Sequence, residues 1–387
     1  MSEHSDNSSL KASILLLAVT IGALLLANSS LAGAYKELLS LEMGWDIGPF
    51  DLTHPSKDWI KNALMAVFFL SVGLEIKAEF QEGALADRSR ALLPFIGAAG
   101  GMIMPAIVFF LIAGDMPSLT RGWAVPTATD IAFAVAVVGL LGSRVPASAR
   151  LLLLAVAVID DLGAILVIGV FYTSAFQLWA IAGMGVAILA LAALNQRKVY
   201  ALIPYLVVGA LLWLFTLQSG INATLSGVIL ALFIPLRGDG DSPLHKLSNA
   251  LKTPVNFAIM PIFAFANAGV SLAGLGLADL AKPLTLAIAL GLILGKPIGI
   301  SLAILAATKL RIAQLPLGMG WSGMIGITCL AGIGFTMSLF IGGLAFESEV
   351  LINQMRLGVL VGSLTAALLG SLLIILFCPV ASPDREG

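Results

Sequence analysis

The chain has 387 residues, a net charge of −1, 59% hydrophobic side chains and only 11% charged ones. A soluble domain carries about 25% charged residues, so this balance, with a mean hydropathy of +1.02, argues against a soluble domain and for an integral membrane protein. The near-zero charge gives no reason to invoke a nucleic-acid partner. Cys329 and Cys378 both sit in apolar segments as small buried side chains, not as a disulfide or metal pair.

Apolar runs of about 20 residues, the length that spans the hydrocarbon core, recur along the chain. Alternating strands of about ten residues are missing, so the fold class is an all-α polytopic membrane protein with about twelve transmembrane helices. The first run, 12–28, is long for a signal peptide, and Lys11 is the only lysine or arginine before it. Between it and the second run, 59–78, lies LEMGWDIGPFDLTH, whose partial alternation around Gly48-Pro49 predicts either a small hairpin over about 41–54 or an irregular interfacial loop. A hairpin there could join a second subunit into a homodimer. Further runs cover 91–112, 118–140, 148–172, 176–195, 200–217, 221–236, 254–273, 284–307, 322–345 and 354–377. Connections are short, so 1–387 is expected to be a single transporter domain embedded in membrane lipid. With a cytoplasmic N-terminus, fourteen lysines and arginines fall inside and six outside, with Lys296 between them, which favours both termini in the cytoplasm.

Four charges lie near mid-membrane: Asp130, Asp160, Asp161 and Lys296; Glu75, toward the end of the second run, is a weaker fifth. A central charge is disfavoured by about 2.5–3.5 kcal/mol, so four together oppose insertion by about 10 kcal/mol. That is comparable with the whole stability of a domain. Asp160 and Asp161, in AVIDDLGAI, are consecutive on a helix and diverge by about 100°. One can line a water-filled cavity while the other turns to a neighbouring helix, and Lys296 in LGLILGKPIGI is the obvious partner. Two carboxylates and an ammonium at one depth form a coupled group able to change protonation near neutral pH.

Asp130 follows Pro126, Thr127 and Thr129 in a single run, and proline interrupts helical hydrogen bonding. A break is tolerated in lipid only where protein or a cavity satisfies the freed groups. CLAGIGFTMSLFIGG, with Gly332, Gly334, Gly342 and Gly343, is a second candidate interruption, or else a close helix contact through small residues. The two interrupted runs are each the middle of three, about 91–172 and 284–377, and seven spans from one triplet to the other invert its orientation. Discontinuous helices in inverted three-helix repeats point to a transporter's mid-membrane site. At crossed breaks Asp130 can offset facing helix N-termini and Lys296 facing C-termini.

The segments AVPTATDIAFA, LAVAVIDDLGAI, MPIFAFANAGVSL, LILGKPIGISL and GIGFTMSLFI, in this order, resemble the NhaA sodium/proton antiporters from about Lys11 to Cys378. The resemblance implies a bacterial inner-membrane protein of twelve helices, with the fourth and eleventh discontinuous, and electrogenic exchange that rises at alkaline pH. It makes Asp161 the principal cation-binding carboxylate and Asp160 its neighbour, exchanging a salt bridge with Lys296. Thr129 becomes a group beside the site, Asp130 the carboxylate facing the helix ends, and Glu75 an acid of the pH response. Asn62, Asn222 and Ser248 depart from the pattern of better-known members, which bears on pH activation rather than on transport chemistry.

The expected function is therefore exchange of sodium, or lithium, for protons that compete for the same carboxylates. Asp160, Asp161, Thr129 and unwound carbonyls would supply oxygen ligands to the transported sodium, and no cofactor is needed. A membrane enzyme is disfavoured because DDLGAI offers no further acid at the spacing that magnesium-dependent transferases require. A cation-coupled carrier of an organic solute with the same architecture is the alternative, against which Lys296 and the double aspartate argue.

Overall fold

The computed structural model describes residues 2–45, 52–83, 85–172, 176–236, 242–271, 277–313 and 320–378. Helix α1 (Ser2–Ala27) leads to α2 (Ala32–Ser40), with a 111° bend between the stretch from Lys11 and the second helix. At the bend Asn28 and Ser29 bond back to Leu24 O and Leu26 O, at 2.8 and 3.0 Å, and so end α1. Strands β1 (Glu42–Met43) and β2 (His54–Pro55) pair antiparallel, Glu42 opposite Pro55 and Met43 opposite His54. The tip of the expected hairpin, residues 46–51, lies outside the described residues.

Next, α3 (Ser56–Trp59) runs through a π-helical turn, Ile60–Leu64, into α4 (Met65–Gln81). Then come α5 (Arg88–Ala113), a 3-10 helix at Thr120–Thr127, α6 (Ile131–Leu141) and α7 (Ala147–Phe171). After α8 (Leu178–Gln196), α9 (Leu202–Gln218), α10 (Leu225–Phe233) and α11 (Pro243–Pro254), a π turn at Val255–Ile259 opens α12 (Met260–Ala268). The chain ends in α13 (Leu277–Leu280), α14 (Pro283–Leu290), a π turn at Gly291–Gly295, α15 (Lys296–Lys309), α16 (Trp321–Leu330), α17 (Phe335–Ala345) and α18 (Glu349–Phe377). Among the described residues six helices are long and apolar enough to cross a membrane, or up to eight if each bent pair counts as one span.

The chain divides into two compact units: 1–14, 84–164 and 270–387 in the first, 15–83 and 165–269 in the second. The first unit gathers most of the two expected triplets. Its most extensive helix contact is α5 against α15, which run in opposite directions. Backbones touch there: a β-carbon at Gly100 would collide with the Gly299 carbonyl, and one at Gly299 with that of Gly100. Small residues at such a crossing allow van der Waals packing that lipid does not replace. The crossing fixes α15, and with it Lys296.

In the second unit, Tyr205, Leu212, Leu230, Leu244 and Leu74 build a buried apolar cluster. Lys77 closes the carbonyl end of α10, donating to Leu232 O at 2.7 Å and Ile234 O at 2.6 Å, a favourable use of a cation at a helix C-terminus. The run predicted from 221 begins its helix only at Leu225. Asn222 first accepts from Thr224 N at 3.0 Å and from its hydroxyl at 2.6 Å, and this local turn competes with the helix.

Candidate ion site at two helix breaks

Within the first unit two helices are interrupted at one place. After the 3-10 helix, Ala128 is extended (φ −84°, ψ 150°), as is Asp130 (φ −88°, ψ 98°), and α6 restarts at Ile131. Residues 331–334 likewise separate α16 from α17, with a 47° bend. The breaks bond to each other: Asp130 N donates to Ile333 O at 2.6 Å, and Thr129 Oγ1 lies 2.9 Å from Ala331 O. The first break falls after Pro126, because the tighter 3-10 turn absorbs the proline and the Thr127 hydroxyl bonds back to Ala124 O at 2.8 Å. Gly332 is required by close approach, since a β-carbon there would strike Leu292 O and meet the Ala366 Cβ at 3.1 Å.

Asp130 serves the N-terminal ends. Its Oδ1 accepts from Phe133 N at 3.1 Å, capping α6, and its Oδ2 accepts from Thr336 N at 2.9 Å and from the Thr336 hydroxyl, in the first turn of α17. One carboxylate thus meets two helix ends of partial positive charge. The Ser338 hydroxyl adds a tie to Val125 O at 2.7 Å, and Phe133 packs edge-on against Phe335 with ring centres 5.1 Å apart. Gly334 N and Phe335 N donate to Ser363 Oγ on α18, at 3.3 and 3.2 Å.

Asp130→Asn keeps the shape but turns one acceptor oxygen into a donor facing N–H groups. The expected result is a loss of about 2–3 kcal/mol of stability, seen as a lower melting temperature in detergent, with reduced turnover. An Asp130→Asn protein as stable as the parent would contradict this role.

Lys296 serves the C-terminal end of the 3-10 helix. Its ammonium donates to Thr127 O at 2.6 Å, to the Thr129 hydroxyl and to Asp160 Oδ2 at 2.8 Å. An ammonium has three donors, and these three acceptors use them all. The Thr129 hydroxyl has one proton to give, so it donates either to Asp160 Oδ2 at 2.8 Å or to Ala331 O at 2.9 Å while accepting from Lys296. Exposure is 0% for Thr129 and Lys296, 1% for Asp130 and Asp160 and 2% for Asp161, so each charge must find its compensation inside the protein. Asp160 Oδ1 is buried with no hydrogen-bond partner among the described residues, which leaves oxygen lone pairs facing the interior. The charge of Asp161 also reaches the Lys296 ammonium.

The structure thus brings Thr129, Asp160 and Lys296 into direct contact and seats Asp130 at the adjoining break. Glu75 belongs to the second unit, where it is exposed on α4 and feels the Lys252 ammonium of α11. Asn62 lies in the first π turn, its carbonyl accepting from Trp213 Nε1 at 3.0 Å. His245, not singled out in the sequence, sits 3.2 Å from Glu82 with Ser242 Oγ 2.8 Å from its other ring nitrogen. Thr336, Ser338 and Ser363 are likewise additions of the structure. For Thr336 and Ser338 the one sequence signal is a hydroxyl within a run already suspected of being broken, and Ser363, on the continuous α18, carries none.

Buried carboxylates and an ammonium, set where breaks in two membrane-length helices bond to one another, define an integral membrane protein of the discontinuous-helix type. The family model described as Na+/H+ antiporter 1 matches residues 4–374, and the chain belongs to that family. It is 48% identical over 392 residues to the Na(+)/H(+) antiporter NhaA of Mesorhizobium japonicum, covering 99% of this chain and 96% of that one. It is 49% identical over 368 residues to the antiporter of the same name from Bordetella parapertussis, with 93% and 92% covered. For that of Shewanella amazonensis the figures are 48% over 360 residues and 92% of each. The family is one of transporters rather than enzymes, and these relatives do not favour the organic-solute alternative.

Proposed function

We propose that this protein exchanges sodium, or lithium, for protons across a bacterial inner membrane, with Asp161 and Asp160 carrying either load. The observation that supports it most is the buried Asp160–Lys296 pair held against the carbonyl end of the 3-10 helix at Thr127. The ammonium sits among a carboxylate oxygen, a hydroxyl and a carbonyl, the hard oxygen ligands that a sodium ion would also take. A cation bound by Asp161, Asp160, Thr129 and nearby carbonyls would compete with Lys296 for Asp160, and with protons for both aspartates. Release of protons from Lys296 and the aspartates together gives more than one proton per cation. Exchange is then electrogenic and biased by about 2.3 kcal/mol per net charge per 100 mV. Glu75, within electrostatic reach of Lys252, is assigned to the pH response.

In the same proposal the shorter apolar helices also cross the bilayer, giving twelve spans with both termini cytoplasmic and inverted repeats over about 91–172 and 284–377. The strand pair at Glu42–Met43 and His54–Pro55 would join two copies into a dimer.

The test is proton movement in proteoliposomes containing the purified protein, followed with a trapped pH dye after a sodium or lithium jump. Cation-dependent proton flux that also develops a membrane potential is expected. Because protons compete at the same carboxylates, half-saturating sodium should rise as pH falls. Proton movement indifferent to sodium and lithium at every pH would overturn the proposal.

A further inference from the structure

Asp130 does not satisfy the start of α17 alone. A helix leaves its first N–H groups without intrahelical partners, and in lipid water cannot replace them. Here Thr336 N goes to the Asp130 carboxylate, while Gly334 N and Phe335 N go to a single oxygen, Ser363 Oγ. Ser363 is 5% exposed and lies on α18, a continuous helix that packs against both α16 and α17. Beside Ser363 the same helix packs closely on α14 and the π turn that follows it: a β-carbon at Gly362 would meet Leu292 Cδ1 at 2.9 Å, and one at Gly358 would meet Thr285 O at 2.7 Å.

We propose that Ser363 is a positioning residue for exchange: it holds the N-terminal end of α17 on α18, so that Thr336 stays in register with Asp130 and the two breaks stay bonded. Its hydroxyl touches none of Thr129, Asp160, Asp161 or Lys296 in the contacts described above. It therefore acts on how the breaks are held as the ion site is loaded and emptied, rather than on the affinity of the site. This extends the proposed exchange activity, and its test carries one arm that does not depend on that activity.

Ser363→Ala leaves two buried donors without an acceptor. Hydrogen exchange of full-length protein in detergent should show peptides covering 333–338 exchanging about ten-fold faster, with α5 and α15 unchanged. In proteoliposomes the maximal rate of sodium-driven proton movement should fall about ten-fold, with half-saturating sodium within about two-fold of the parent. Ser363→Thr, which keeps the oxygen, should restore both readouts. In an Asp130→Asn background, Ser363→Asp returns a carboxylate to the same helix end and should recover about ten-fold in rate.

If Ser363→Ala does not purify folded, Ser363→Cys, a weaker acceptor of similar size, should give intermediate values of both readouts. Unchanged amide exchange at 333–338 in Ser363→Ala or Ser363→Cys overturns the proposal. So does a change confined to half-saturating sodium, or failure of both Ser363→Thr and the Asp130→Asn/Ser363→Asp double variant to recover. Absence of sodium-driven flux in the parent protein would instead overturn the exchange activity, leaving amide exchange to decide the role of Ser363.

Discussion

Asp161→Asn is expected to reduce sodium-driven proton movement by about 100-fold or more, equivalent to about 2.8 kcal/mol of lost interaction with the cation. The substitution is isosteric and removes one formal charge from a group 2% exposed. A hard monovalent ion draws most of its binding energy from anionic oxygen, and a carboxamide offers only a neutral dipole. It also cannot take up and release a proton, so the competition that couples the two loads is lost with the affinity. The fold should survive, because the Asp160–Lys296 contact and the Asp130 bridges do not use the Asp161 side chain. The measurement is dye-reported flux after a sodium jump, paired with the melting temperature in detergent. Full exchange by Asp161→Asn would remove Asp161 from the site, and loss of flux together with loss of fold would make it structural.

Much of this site was legible in the sequence because a charge within an apolar run is anomalous by its cost. That cost singled out Asp130, Asp160, Asp161 and Lys296, and the 100° step between neighbours on a helix separated the two aspartates into different environments. Lys296 does meet Asp160. The hydroxyls around them were not legible. Thr336 and Ser363 are ordinary residues in a membrane helix, where the usual partner is a carbonyl one turn back. Their partners here are Asp130 and residues 334–335, some 206 and 28 positions away along the chain. Apolar period likewise cannot reveal where a π turn intrudes, as at Gly291–Gly295 just before Lys296, or that Asn222 delays the start of α10. Those outcomes depend on tertiary contacts that compete with a helix the local sequence already favours.

Lys296→Met should be the most destabilising single substitution at the site. It leaves Asp160, 1% exposed, as a buried carboxylate with the Thr129 hydroxyl as its remaining donor in the contacts described here, and it strands Thr127 O at a helix C-terminus. Removing one partner of a buried ion pair costs about 3–5 kcal/mol, far more than the pair itself contributes against an apolar replacement. Adding Asp160→Asn should therefore recover most of the lost melting temperature, since the pair is then neutral on both sides. Transport separates the two roles of the lysine. If Lys296 contributes a proton to each cycle, whatever exchange Lys296→Met retains moves one charge fewer and loses its response to an imposed membrane potential. A Lys296→Met protein as stable as the parent would show that the ammonium does not compensate Asp160. Residual exchange still driven by potential would show that its proton is not part of the stoichiometry.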